Sequence, residues 1–353
     1  MRHTETLVFM ILFAFAPSLS AQKFTKGVNL FPVERNGKYG YINDRGQVVI
    51  KPQFDDAWKF EEDLASIMID GKWGYIDKNG RIVIDTKFFQ AMPFKDGLAV
   101  VGAFFESGPR SAVVGNYGYI NKKGAFAILP QFDIAFAFSD GLAQVLVNGQ
   151  HAYIDKKGNI VLTQPDSFSE NFSNSRALIK THGNMPNSLI GYIDKSGKKV
   201  IDTKYQWGKD FADGLACVSV DSRAGFIDTE GNVAIKFAFS SCESFSEGLA
   251  AVFQNGSWGY INKSGTMVIP PRFGQAEEFH DGLAAVQINL KWGYIDSKGR
   301  LVIPPQFSEV TAFANGVATV NLNNKFGTAE VEYWPKWGYL NKQGKLIWRS
   351  LSN

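Results

Sequence analysis

His151, His182, His280, Cys217 and Cys242 are the residue types here to which nucleophilic, general-base or metal chemistry is usually entrusted. Their spacing matches no familiar catalytic or metal-binding arrangement: GxSxG, HExxH, CxxC and P-loop patterns are all absent. The three histidines lie far apart in sequence, whereas an active site needs such groups to converge. His151 stands where comparable segments carry Trp, so it reads as a packing ring rather than a ligand. The chain is therefore expected to be non-enzymatic, with no cofactor and no metal. Two cysteines are too few for a disulfide scaffold. In an oxidising compartment they could pair. The reading favoured is a small buried filler, because Cys242 replaces Ala57, Ala91, Ala135 and Ala276 of other segments.

A recurring Asp/Asn-x-x-Gly, as in Asp77 to Gly80, invites a calcium reading, since repeated carboxylates line some exported β-repeats. Two facts oppose it. Asp alternates with Asn, and a lysine follows at Lys78, Lys122, Lys156, Lys195, Lys263 and Lys342. Asx opening a turn and Gly accepting positive φ is hairpin chemistry, read as a type I turn with a bulge.

The elements that would position these residues come from one repeated phrase. Lys72-Trp73-Gly74-Tyr75-Ile76-Asp77 is nearly repeated at Lys291 to Asp296. The second member of the Trp-Gly pair falls at Gly40, Gly74, Gly118, Ala152, Gly191, Gly225, Gly259, Gly293 and Gly338. The basic interval is 34, with gaps of 44, 39 and 45. Twenty residues past each turn glycine stands Phe: Phe60, Phe94, Phe138, Phe172, Phe211, Phe245, Phe279 and Phe313. Five further on comes Ala, from Ala65 to Ala318. A large ring and a methyl at constant spacing suit interdigitating layers. Strands are expected at the Trp-Gly phrase, after the turn, and at Gly-Leu-Ala-x-Val, as in Gly282 to Val286.

So divided, the chain is an all-β repeat protein of nine three-stranded meanders of about 34 residues each. Closed propellers typically have 4–8 blades of four strands. Nine in-frame units with no strand left over favour an open β-solenoid or superhelix; a closed β-propeller-like ring is the alternative. The divisions expected are a signal peptide at 1–21, a lead at 22–29, the repeat domain at 30–348 and a tail at 349–353. The signal rests on Arg2, the short apolar run Leu7 to Ala16, and the small residues Ser18, Ser20 and Ala21. The run is too short for a membrane span. The mature chain is thus expected to be exported, to the periplasm or the cell surface, or secreted. With 37 basic and 34 acidic residues, net +3, and no basic run interleaved with aromatics, nucleic acid is not indicated.

Lys-Trp-Gly-Tyr-Ile-Asp-Lys-x-Gly, Val-Ile-Pro-Pro-x-Phe and Phe-x-x-Gly-Leu-Ala-x-Val together resemble the bacterial WG (or KWG) repeat family, from Leu30 to Trp348. The resemblance implies an all-β repeat protein, often exported, with no catalytic residues to carry over. Segments four to six depart from it: His151, Ile190 and Ala224 replace Trp, and Ala152 replaces Gly.

The longer gaps share one location, 101–117, 179–190 and 320–337, and insertions confined to one turn emerge on one face. Phe104, Phe105, Glu106 and Arg110 in the first, with Phe326, Glu330, Tyr333 and Trp334 in the third, are the candidates for binding a protein partner. The function expected is a scaffold for protein–protein interaction at the cell envelope. The alternative is a glycan or cell-wall binding module in which Trp73, Trp258, Trp292 and Trp337 stack on sugars.

Overall fold

The structure is a computed structural model that describes residues 28–104, 115–164, 171–181, 188–322 and 337–350. The expected signal peptide lies outside these residues. Within them there is no helix, and the strands form nine antiparallel sheets in chain order.

The second sheet, order Asp56–Ala57, Ala65–Ile69, Lys72–Ile76 and Ile82–Phe88, shows how the phrase folds. Asp70 and Gly71 both take positive φ and close a two-residue hairpin between its second and third strands. Asp77 opens the next turn as expected. Its carbonyl accepts from Gly80 N–H at 2.9 Å, and its carboxylate accepts from the backbone of Asn79 and Arg81. Gly80, at φ 79°, supplies the left-handed residue that lets the last strand return. The connector yields more than the meander predicts. In five sheets it contributes a short leading strand, making four rather than three.

The glycine of the Trp-Gly phrase has a separate cause. In seven sheets the last strand is wide-bulged opposite it, so that Trp258 pairs with Phe273 but Tyr260 with Ile269. The bulge lays backbone over the glycine: a Cβ on Gly259 would stand 2.6 Å from the carbonyl oxygen of Ile269. In the fourth sheet, where Ala152 replaces glycine, Ala152 and Tyr153 keep an even register with Thr163 and Leu162. Gly338, in the ninth sheet, also pairs evenly, with Arg349.

The core is a series of eight apolar clusters, each lying between consecutive sheets. All eight column Phe and all eight column Ala are buried. Each Phe ring meets an aromatic of the preceding sheet at 4.7–5.0 Å between centroids, Tyr294 with Phe313 being the closest. Six tyrosine hydroxyls cross the same interfaces to a carbonyl 17 residues on, as from Tyr75 to Met92 at 2.7 Å.

The ring is closed, and the expectation of an open superhelix is corrected. Tyr339 of the ninth sheet donates its hydroxyl to Pro32 of the first at 2.7 Å, and its ring meets Phe31 at 5.8 Å. Asn29 donates to the carbonyl of Asn315, and Gly46 seats against the backbone of Ile347. Counting strands pointed away from closure because propellers are commonly sealed by an exchanged strand. Here the first and ninth sheets meet as complete units, through side chains and turns, in a β-propeller arrangement of nine blades.

Cys217 and Cys242 are not independent fillers. They form a disulfide between the sixth and seventh sheets, with Cα atoms 6.1 Å apart, inside the buried cluster there. The sixth sheet is also where the hydroxyl-bearing column holds Phe226 instead of tyrosine. The covalent bond stands at the junction that lacks the hydroxyl contact.

Candidate functional site

Among the described residues no group of His, Cys, Asp or Glu could hold a metal ion. The Asx turns are occupied by their own backbone. Hydrogen bonds from Asn159, with the N–H of Lys157, hold the Asp155 carboxyl below its usual range against a smaller desolvation effect. His151 is half-buried in its strand, and His280 faces Glu278 at 3.6 Å. His182 lies outside the described residues.

Equivalent groups of neighbouring sheets approach most closely along the leading strand and the turn after it. Blades in a ring diverge outward, so these elements surround the central opening. The turn carries a belt of carboxylates. Gly97 N–H donates to Glu62, Gly141 to Asp96, Ser175 to Asp140, Gly248 to Asp213, Gly282 to Glu247 and Gly316 to Asp281, each reaching the adjacent sheet. Asn174 fills the missing place by accepting from Gly214 at 3.0 Å. Lysines of the following turns return the charge: Lys122 to Glu62 at 3.1 Å and Lys195 to Asp140 at 3.0 Å. Desolvation raises the Glu62 carboxyl, but Lys122 and the N–H groups of Gly97 and Asp96 together outweigh it and hold the group low. The belt is a structural ring, its carboxylates already satisfied. A cavity of about 200 Å³ beside the seam, between Asn315 and Asp63, is walled by the same belt.

One position of the connector, in or just past the leading strand where a sheet has one, recurs beside the opening. Its occupants in the second to fourth sheets are Trp58, Met92 and Phe136, and in the sixth to eighth Lys209, Glu243 and Glu277. Lys209 pairs with Glu243, which shows that these side chains are neighbours from sheet to sheet. Trp58 and Phe136 are each 45% exposed, in a chain whose column Tyr and Phe are almost wholly buried. Ile134, two residues before Phe136, is exposed too. Glu277 has its carboxyl raised, by desolvation first and by the charge of Glu243 second, with Lys209 opposing. The opening thus has an apolar arc and a charged arc. Sequence reasoning passed over this position because its residue type changes from sheet to sheet.

The expected partner-binding residues fall mostly beyond view. Phe104 ends the strand Leu98–Phe104, its backbone paired with Gly115. Phe105, Glu106, Arg110, Phe326, Glu330, Tyr333 and Trp334 lie outside the described residues. The strands leading to all three insertions are in place, ending at the pairs Phe104 and Gly115, Lys180 and Ile190, and Asn321 and Trp337. Each replaces the hairpin that Asp70 and Gly71 close in the second sheet. The strand ends that bound the insertions therefore lie on one face, opposite the belt. Three of the four tryptophans weighed for glycan stacking belong to sheet interfaces. Trp258 is buried, and Trp73 and Trp292 are half-buried against apolar clusters; Trp337 is half-buried at a strand end.

Among solved structures, the chain is similar to dihydro-heme d1 dehydrogenase NirN at 14% identity and a TM-score of 0.41, covering 80% of this chain and 75% of that one. It is also similar to a protein of unknown function from Bacteroides caccae, at 14% identity and a TM-score of 0.27, covering 66% and 89%. Pyrococcus horikoshii acylaminoacyl peptidase matches at 11% identity and a TM-score of 0.36, covering 85% and 59%. No curated protein matches in sequence. The pattern of the WG containing repeat matches at 39–73, 73–102, 117–150, 190–223, 225–258, 258–292 and 292–326. Those segments take in seven of the eight Trp-Gly glycines and pass over Ala152 and its even ladder, and on them the chain belongs to the WG containing repeat family.

Proposed function

We propose that the protein is a non-catalytic, exported ring that holds a protein partner over its hairpin-bearing face, the partner's apolar side chains entering the opening. The observation that carries this reading is the exposed arc of Trp58, Ile134 and Phe136, with Met92 half-buried between them in the series. Interfaces use aromatic and Met side chains as anchors, and large apolar groups left exposed together mark interaction surfaces. The three insertions, whose flanking strands end on that face, would extend the contact. The disulfide supports an oxidising compartment such as the periplasm or cell surface. The packing of Trp73, Trp258 and Trp292 within sheet interfaces supports a protein over a glycan as ligand.

The test is crosslinking pull-down from envelope extract with the wild-type ring, Trp58→Ala/Phe136→Ala, and a form lacking residues 323–336. Loss of one specific crosslinked protein in both variants, with melting temperature unchanged, is the expected result. Equal recovery from all three would overturn the reading, as would a fluorescence change on a cell-wall glycan panel that the first variant abolishes.

A further inference from the structure

The face that carries the Asx-Gly turns has an outer rim that neither the belt nor the opening uses. Its turn tips bear exposed Arg45, Arg81, Lys123, Lys157, Lys198, Lys298 and Lys345, in the first to fifth, eighth and ninth sheets. Glu230 in the sixth and Ser264 in the seventh break the run. One to four residues beyond five of these tips, near the start of the last strand, aliphatic side chains are exposed. Ile82 and Ile160 are 48% and 53% exposed, and Val48, Val83, Val161, Val302 and Leu346 repeat the pattern. These positions lie near the start of the last strand of their sheets, which pairs on one side only.

We propose that this rim docks the ring on an anionic lipid bilayer. Repetition places nine equivalent turns at one level, and a level array fits a flat, laterally continuous surface better than a convex protein. Charge complementarity selects an anionic bilayer, since basic groups near such a surface gain affinity one by one. The aliphatic positions select lipid over a soluble polyanion, because only a bilayer offers apolar depth behind its charge. The turn-opening carboxylates are folded back onto their own backbone N–H groups, as at Asp155 and Asp296, which offsets part of their charge. Docked this way, the ring would present the strand ends that bound the three insertions away from the membrane.

The test is cosedimentation of the full chain, without residues 1–21, with vesicles of phosphatidylcholine alone or with 30 mol% phosphatidylglycerol (a mixture of about this composition suffices to give a negative surface). Binding to the anionic vesicles alone, weakening with salt, is expected. Lys123→Glu/Lys157→Glu should lower affinity by at least ten-fold, since each charge near the surface is worth about five-fold. Ile82→Ser/Ile160→Ser should weaken the binding that persists at high salt. Lys72→Glu/Arg223→Glu, on the hairpin face, should leave binding unchanged. All four residues on the rim are exposed, and retention of melting temperature shows that each ring is intact. The proposal is overturned by absence of binding, by equal binding to neutral vesicles, by equal loss in the hairpin-face variant, or by dextran sulfate binding as tightly with no effect of Ile82→Ser/Ile160→Ser.

Discussion

Tyr339 and Pro32 stand 307 positions apart in sequence and share one hydrogen bond of 2.7 Å, hydroxyl to carbonyl. Elsewhere the equivalent hydroxyl reaches the connector that leads into the next sheet; at the seam it reaches the strand Leu30–Arg35 itself. Phe31 helps to explain the difference. It occupies the position that holds Ala65 in the second sheet, and its ring takes the part that Phe60 plays against Tyr41, although less closely at 5.8 Å against 4.9 Å. Tyr339 is only half-buried, whereas Tyr75 and Tyr294 are fully buried. Desolvation, with Tyr39 nearby, pushes its hydroxyl up to about 12, so it remains a donor throughout the neutral range.

The seam should therefore be the first interface to open. Phe31→Ala should lower stability by about 3 kcal/mol and Tyr339→Phe by about 1 kcal/mol. Hydrogen exchange should show the backbone of 30–35 and 337–341 exchanging ahead of the strands at 257–262. Exchange beginning instead at an interior interface would contradict this assignment.

Reduction of Cys217–Cys242, which encloses a separation of 25 residues, should cost about 3 kcal/mol by the loop-entropy relation. Cys217→Ser/Cys242→Ala should match the reduced protein in urea denaturation. Adding Phe226→Tyr to that variant should restore about 1 kcal/mol, because the new hydroxyl would face the carbonyl of Glu243 as Tyr260 faces Glu277.

Gly259→Ala should be among the most damaging single methyl additions, at about 3 kcal/mol or more, because the Cβ meets fixed backbone rather than a side chain that can turn aside. Ala152→Gly should cost about 1 kcal/mol or less, since the even ladder there needs no such approach. Denaturant midpoints of the two variants compare them directly.

Acid should weaken the belt at Glu62 and the Asx turns at their opening carboxylates. Glu62 is held below its ordinary value of 4.5, and Asp155, Asp194, Asp228 and Asp296 below 3.8. Groups with lowered folded pKa contribute stability that is complete above the unfolded value and is lost as pH falls through the folded one. The melting temperature should stay level from neutral pH to about 5 and decline below about 4.5. Glu62→Gln should flatten the upper part of that decline.

The period, the Phe and Ala columns and the turn glycine were legible because each is a local rule repeated at fixed spacing. Closure was not legible. It depends on the one junction where the rule is broken, with Phe31 in an alanine position and Tyr339 turned to a different acceptor. The opening escaped notice for the opposite reason. Trp58, Phe136, Lys209 and Glu277 share a position but no residue type, so nothing marks them until the ring sets them side by side. The carboxylate belt was half visible: Asp-Gly announces a turn, while the glycine 35 residues on that receives Asp213 does not announce its partner.

The ring seals without a shared strand, and this governs how its size is chosen. A propeller closed by strand exchange fixes its blade number covalently, through the fragment each end must contribute. Here every sheet is whole, so nothing in the chain's connectivity counts to nine. The count follows from angle. Each buried pair of one ring and one methyl wedges adjacent sheets apart by the same increment, and nine increments bring Tyr339 round to Phe31. Loss or duplication of a single 34-residue unit would leave every interior interface intact and the molecule unable to meet its own beginning. In such a lineage, copy number is selected by curvature.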